Sequence, residues 1–239
     1  MRLLVSVAGP ADARAALAGG ADVIDAKDPG RGALGPVGAG ALAAIRLTVG
    51  TARPLSAALG DARQTGGMER AVRALAGVGL AFVKIGFAGV TGTARALELG
   101  AAAQRGAGLD TGVVLVAYAD WRRVASLAPG RLVAVAAELG AAGVLLDTAY
   151  KDTPLFALES PDAVGAWVDA AHAAGLFAAL AGSLRGPDFA IARALGADLV
   201  GVRRAACRGG RSGRVSEVRV AALGALARTA PHVPVGVFS

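Results

Sequence analysis

Apolar positions along this chain alternate between two periods. Short runs of β-branched and aliphatic residues occur at Leu3–Val7, Asp22–Lys27, Pro54–Leu59, Phe82–Phe87, Gly112–Tyr118, Gly143–Thr148, Phe177–Gly182 and Leu199–Val202. Longer Ala- and Leu-rich stretches with helical spacing separate them, near 11–19, 37–47, 67–77, 92–105, 131–139, 161–174, 187–195 and 216–228. The first kind suits strands covered on both faces and the second amphipathic helices, so the alternation predicts βαβ units and a parallel sheet. Several helices share one exit. Ala18-Gly19-Gly20-Ala21-Asp22, Leu139-Gly140-Ala141-Ala142-Gly143 and Leu195-Gly196-Ala197-Asp198 each place glycine where a helix end needs positive φ, and a strand follows at once. Eight such units in 239 residues, close to the roughly 250 of a (βα)8 TIM barrel, predict one such barrel spanning residues 1–239. An open doubly wound sheet is the nearest competitor, but no G-x-G-x-x-G follows the first strand.

Composition changes that picture little. Hydrophobic residues make up 54% of the chain and the mean hydropathy is +0.54, yet no run approaches the ~18 apolar residues of a spanning helix. Arg2 followed by Leu3–Ala8 is too short for a signal peptide. A single cysteine, Cys207, excludes an intrachain disulfide, which fits a reducing cytoplasm and reads as a packing residue. The net charge of +7 points to acidic partners. Of the 25 basic residues only three are lysines, at 27, 84 and 151, leaving 22 arginines. Arginine stays protonated in proteins, whereas a buried lysine can lose its proton and act as nucleophile or base. In a chain so biased towards arginine, the lysines are the first places to look for chemistry.

Strand alternation places them. Asp25 and Lys27 share one face of the second strand, Phe82, Lys84 and Gly86 one face of the fourth, and Leu145 and Asp147 one face of the sixth, with Lys151 in the loop beyond. Barrel enzymes work at the C-terminal strand ends, so three lysines and two carboxylates are expected at one mouth. Inward Asp and Lys can also form purely structural ion pairs, but all three lysines converging there favours catalysis. A lysine with a pKa near 10.4 is inert at pH 7. Burial and a neighbouring ammonium lower that value, producing an amine able to form a Schiff base with a carbonyl, a second lysine serving as base.

A second constellation suits phosphate. Gly182 and Ser183 follow the seventh strand, and Gly201, Arg203 and Arg204 open an arginine-rich run to Arg214 after the eighth. Loops at these two places commonly hold phosphate in barrels, through backbone N–H groups and arginine. The run could instead be a nucleic-acid patch, but no aromatic residues are interleaved with it. His172 falls in a helix and His232 in the tail, and two histidines with one cysteine argue against zinc. Asp120 either touches substrate or caps a loop.

The segments Val23-Ile24-Asp25-Ala26-Lys27-Asp28-Pro29, Phe82-Val83-Lys84-Ile85-Gly86, Leu146-Asp147-Thr148-Ala149-Tyr150-Lys151-Asp152, Leu180-Ala181-Gly182-Ser183-Leu184 and Gly201-Val202-Arg203-Arg204-Ala205-Ala206-Cys207 together resemble the signatures of the (5-formylfuran-3-yl)methyl phosphate synthase family, from the first strand to about residue 220. The resemblance implies a cofactor-free TIM-barrel lyase of methanofuran biosynthesis that condenses two glyceraldehyde 3-phosphate molecules, losing phosphate and water. It implies Lys27 as the Schiff-base lysine, Lys84 as proton acceptor, and Asp25, Asp147 and Lys151 as supporting charges. The expected partner is a small phosphorylated aldehyde rather than nucleic acid or membrane, with homo-oligomerisation left open. Ala33 stands where a serine is expected, and Arg204 where the family tends to carry glycine. A Schiff-base aldolase or isomerase of sugar phosphates is the alternative reading.

Overall fold

The computed structural model describes residues 1–228; His232 lies outside them. Eight parallel strands close into a barrel in sequence order: β1 Arg2–Val7, β2 Val23–Ala26, β3 Leu55–Asp61, β4 Phe82–Gly86, β5 Gly112–Tyr118, β6 Gly143–Asp147, β7 Phe177–Leu180 and β8 Leu199–Val202. β8 pairs with β1, Leu4 opposite Gly201, and completes the ring. The helices are α1 Pro10–Ala18, α2 Ala39–Val49, α3 Thr65–Arg73, α4 Thr93–Ala107, α5 Pro129–Glu138, α6 Leu155–Leu158, α7 Pro161–Ala173, α8 Gly186–Ala194 and α9 Glu217–Arg228. The expected single TIM barrel is therefore the fold. No helix among the described residues is long and apolar enough to cross a membrane.

Local chemistry explains the boundaries. Proline opens α1, α5 and α7, where its missing N–H belongs to a donor that has no helical partner anyway. Ser160 caps α7 by accepting from the Ala163 N–H. The shared exits behave as their sequence implies, with Gly20, Gly140 and Gly196 at φ +77°, +60° and +78°.

Strand alternation divides the buried residues into two layers. Leu3, Val5, Ile24, Val83, Ile85, Leu115 and Leu146 pack outward against the helices. Leu4, Val23, Ala58, Phe82, Val114, Val116, Leu145, Ala179 and Leu199 fill the interior. The Phe82 and Phe177 rings meet at 5.6 Å between centroids within it. Two features had no counterpart in the periodicity: the single-turn α6, and an antiparallel pair after β8 formed by β9 Cys207–Arg208 and β10 Arg214–Val215. Both lie in the loops that build the site.

Candidate active site

Four consecutive strands, β1 to β4, each contribute one residue to a buried polar cluster inside the barrel. Asp25 on β2 is fully buried. Its Oδ2 accepts from Ser6 Oγ on β1 at 2.9 Å and lies 2.7 Å from Lys84 Nζ on β4. Its Oδ1 accepts from Ser56 Oγ on β3 at 2.8 Å. Burial alone would raise this carboxyl, but the Lys84 and Lys27 charges and the hydrogen bonds hold it below the usual carboxylate range. A second pair stands across the mouth. Lys151 Nζ contacts Asp147 Oδ1 at 2.5 Å, and Asp147 also accepts from the Thr148 N–H at 2.8 Å. Burial opposes ionisation of Asp147, yet Lys151 and Lys27 keep it low as well. Asp120 settles into the capping role: it accepts from the Ala149 and Tyr150 N–H groups at 2.8 and 2.9 Å, bracing the loop that carries Lys151.

Lys27 is the exception among the lysines. It follows β2 directly, is only 8% exposed, and has no ion pair or hydrogen bond on its amine among the described residues. Burial first, then the Lys84 charge, lower its pKa from 10.5 to about 7, with Asp147 and Asp25 only partly opposing. Roughly half of such amines are neutral at pH 7, against a few in ten thousand for an ordinary lysine.

Lys27, Lys84, Asp147 and Lys151 line one cavity at this mouth. Its floor is apolar, from Leu4, Phe82, Val114, Leu145, Phe177 and Leu199, and its upper wall polar, from Lys27, Lys84, Asp147 and Lys151. The loop after β7 adds Gly182 at φ +100° and Ser183 at φ +56°. No protein acceptor takes the Ser183 or Leu184 N–H among the described residues. The end of β8 and the loop after it add residues 201–205, where a single 3-10 turn, Arg204–Ala206, begins facing the same space.

The two arginines expected beside this loop have different surroundings. Arg203 is buried and engaged: Nη1 donates to Asp12 Oδ2 at 2.6 Å and Ser6 O at 3.0 Å, Nε to Arg211 O at 3.1 Å, and Nη2 to Gly213 O at 2.8 Å. With four donors used internally, it shapes the loop rather than offering a free hand to an anion. Arg204 is exposed, with one bond to Lys151 O at 3.2 Å. Gly201 is partly exposed beneath it in β8.

Sequence reasoning missed several polar groups. The Tyr118 hydroxyl donates to Asp61 Oδ1 at 2.7 Å, and the same oxygen accepts from the Ala88 N–H at 3.0 Å. Burial and the Asp61 charge push the phenol well above its ordinary value. The β3–β4 register shifts between Ala58 and Asp61, so simple alternation cannot place Asp61 on the interior face. Ser6, Ser56 and Asp12 were missed because a lone small polar residue in a strand or first helical turn carries no pattern. His172 is exposed and pairs with Asp198, away from the cavity, while Cys207 is buried packing. No group of metal-ligand side chains occurs among the described residues.

The family model described as 4-HFC-P synthase matches residues 3–224. The chain belongs to this family. It is 43% identical over 218 residues to the (5-formylfuran-3-yl)methyl phosphate synthase of Methanopyrus kandleri, covering 89% of this chain and 92% of that protein. The enzyme of the same name from Methanocaldococcus jannaschii is 37% identical over 222 residues, covering 90% and 94%. Such relatives mark this family member as an enzyme. Solved structures show the fold alone. Orotidine 5'-phosphate decarboxylase from Pyrococcus horikoshii aligns at a TM-score of 0.65 with 17% identity, covering 95% of this chain and 100% of that one. Phosphoribosyl anthranilate isomerase from Thermus thermophilus aligns at 0.60 with 16% identity, covering 95% and 98%.

Proposed function

We propose that this enzyme is a (5-formylfuran-3-yl)methyl phosphate synthase that joins two glyceraldehyde 3-phosphate molecules through a Schiff base on Lys27. The observation that carries the reading is the unpaired, half-neutral amine of Lys27 in a cavity also lined by two ion-paired lysines. The names of its relatives agree with it.

The Lys27 amine adds to the aldehyde of one triose and expels water, giving an iminium that acidifies the adjacent C2–H. Lys84, protonated beside Asp25, first donates to the departing oxygen and then, as a neutral amine, takes the C2 proton. The resulting enamine expels phosphate from C3, breaking the C3–O bond with the electron pair leaving on phosphate. C3 of this unsaturated iminium then joins C2 of the second triose in its enediol form. Ring closure, dehydration and hydrolysis of the imine release the furan, so two triose phosphates become one furan phosphate, one inorganic phosphate and two waters. Asp147 holds Lys151 in place to donate to oxygens lost as water. The free N–H groups at Ser183 and Leu184, with Arg204, suit a phosphate. We place the product in methanofuran synthesis and the reaction in the cytoplasm, without a cofactor.

Purified protein given glyceraldehyde 3-phosphate alone is expected to release inorganic phosphate together with a furan-aldehyde absorbance, and Lys27→Ala to lose both. Triose interconversion or an aldol product without phosphate release would reject the synthase and favour the aldolase or isomerase reading.

A further inference from the structure

Charge around the cavity does not balance. Asp25 is matched by Lys84, Asp147 by Lys151 and Asp12 by Arg203. That leaves Lys27, Arg204 and Arg211 without an acidic partner within ion-pair distance among the described residues. Arg211 is the least expected of these. It sits in the excursion between β9 and β10, yet returns to line the same cavity. Its Nη1 donates to Pro29 O at 2.6 Å and its Nη2 to Gly32 O at 2.7 Å, both in the loop that follows Lys27. Those bonds spend one N–H on each terminal nitrogen, leaving a second on each and the Nε–H. Burial lowers its pKa, while Asp147 opposes that from across the mouth. A half-buried guanidinium held only by carbonyls is poised for an anion that the protein does not itself supply.

The proposed reaction handles two phosphates, one expelled from the first triose and one carried by the second and retained in the product. The N–H groups after β7, with Arg204, provide for one. We infer that Arg211 binds the phosphate of the second triose, the one retained in the product, and so separates the two substrate positions. This rests on the synthase reading. Arg203 acts here as a positioning residue, since its bonds to Arg211 O and Gly213 O hold the excursion over the mouth.

Two readouts test it on the full chain. Inorganic phosphate titrated calorimetrically is expected to fill two sites in the wild type and one in Arg211→Gln, a result independent of any furan chemistry. In turnover, Arg211→Gln is expected to raise KM for furan formation about tenfold or more, as loss of a charge-assisted bond implies, with kcat within a few-fold. Borohydride trapping of a single triose on Lys27 should keep its half-saturation, and Arg211→Lys should recover part of the KM. Equal phosphate stoichiometry in wild type and Arg211→Gln overturns the inference, as does unchanged KM with a lowered Tm, which would make Arg211 only a clasp. Trapping that weakens in step with KM also overturns it, because Arg211 would then serve the first triose. A wild type that fills two phosphate sites but makes no furan would sink the synthase reading while leaving two anion sites standing.

Discussion

The Lys27 amine combines reactivity and instability in one group. Its depressed pKa means that the unfolded chain binds more protons than the folded one between about pH 7 and 10.5. Stability from this residue therefore rises with pH through that window, and the full penalty stands below about pH 7. A drop from 10.5 to about 7 corresponds to roughly 5 kcal/mol at most. Lys27→Met would remove that charge while Asp25 and Asp147 keep Lys84 and Lys151. It is expected to abolish furan formation yet stabilise the fold by about 1–3 kcal/mol at pH 7, with the gain vanishing near pH 10. Urea midpoints at the two pH values measure this, and a destabilised variant at pH 7 would contradict it. The same titration should appear in the chemistry. Borohydride trapping of triose on the wild type is expected to accelerate as pH rises through about 7 and then level off, and a rate still climbing towards pH 10 would mean an ordinary lysine.

At the scale of elements, β3, β4 and β5 end in a contact that only one residue at position 86 permits. A Cβ there would lie 2.3 Å from both Asp61 Oδ1 and the Tyr118 hydroxyl, so Gly86→Ala must break their hydrogen bond or push the strands apart. The expected loss is about 2–4 kcal/mol, from overpacking and a buried Tyr118 hydroxyl left without its acceptor. Denaturation midpoints of Gly86→Ala, Tyr118→Phe and the double variant check it, the two changes adding to less than their sum because they remove one shared bond. This corner also shows what the sequence could and could not reveal. Asp25, Lys27, Lys84 and Asp147 were legible because unbroken strand alternation carries a residue to a definite face. Asp61 was not, since the β3 irregularity shifts the register that alternation relies on. Strand positions followed from apolar runs, whereas α6 has one turn and β9 and β10 two residues each, too short for any period to register. Arg203 and Arg211 looked alike in a basic run. Only the fold distinguishes a guanidinium enclosed by carbonyls and Asp12 from one facing the cavity.

Across the whole molecule, the closing seam of the barrel is tied by that same Asp12. It stands in the first turn of α1, and its Oδ2 meets Arg203 Nη1 at 2.6 Å just beyond β8, while its Oδ1 accepts from the Val215 N–H at 3.0 Å on β10. One carboxylate thus joins the first helix, the last barrel strand and the returning arm of the excursion. Burial raises its pKa, but Arg203 and the N–H groups of Val215 and Ala8 outweigh that and leave it lowered. A lowered carboxylate lends stability that is present above the unfolded value near 3.8 and lost as pH falls through the folded value. Asp25 and Asp147 are lowered too, so the barrel should hold its acid stability down to about pH 4 and lose it steeply below. Asp12→Asn tests the seam by itself, because asparagine retains the shape and one acceptor but leaves Arg203 buried without its counter-charge. The expected cost is about 3–5 kcal/mol, the size found when a buried pair loses one partner. Since Arg203 also positions Arg211 through its carbonyl contact, KM for furan formation should rise in Asp12→Asn even where the protein remains folded, and Lys27 trapping should persist. A variant that loses stability without any change in KM would confine Asp12 to the seam and detach the excursion from substrate binding.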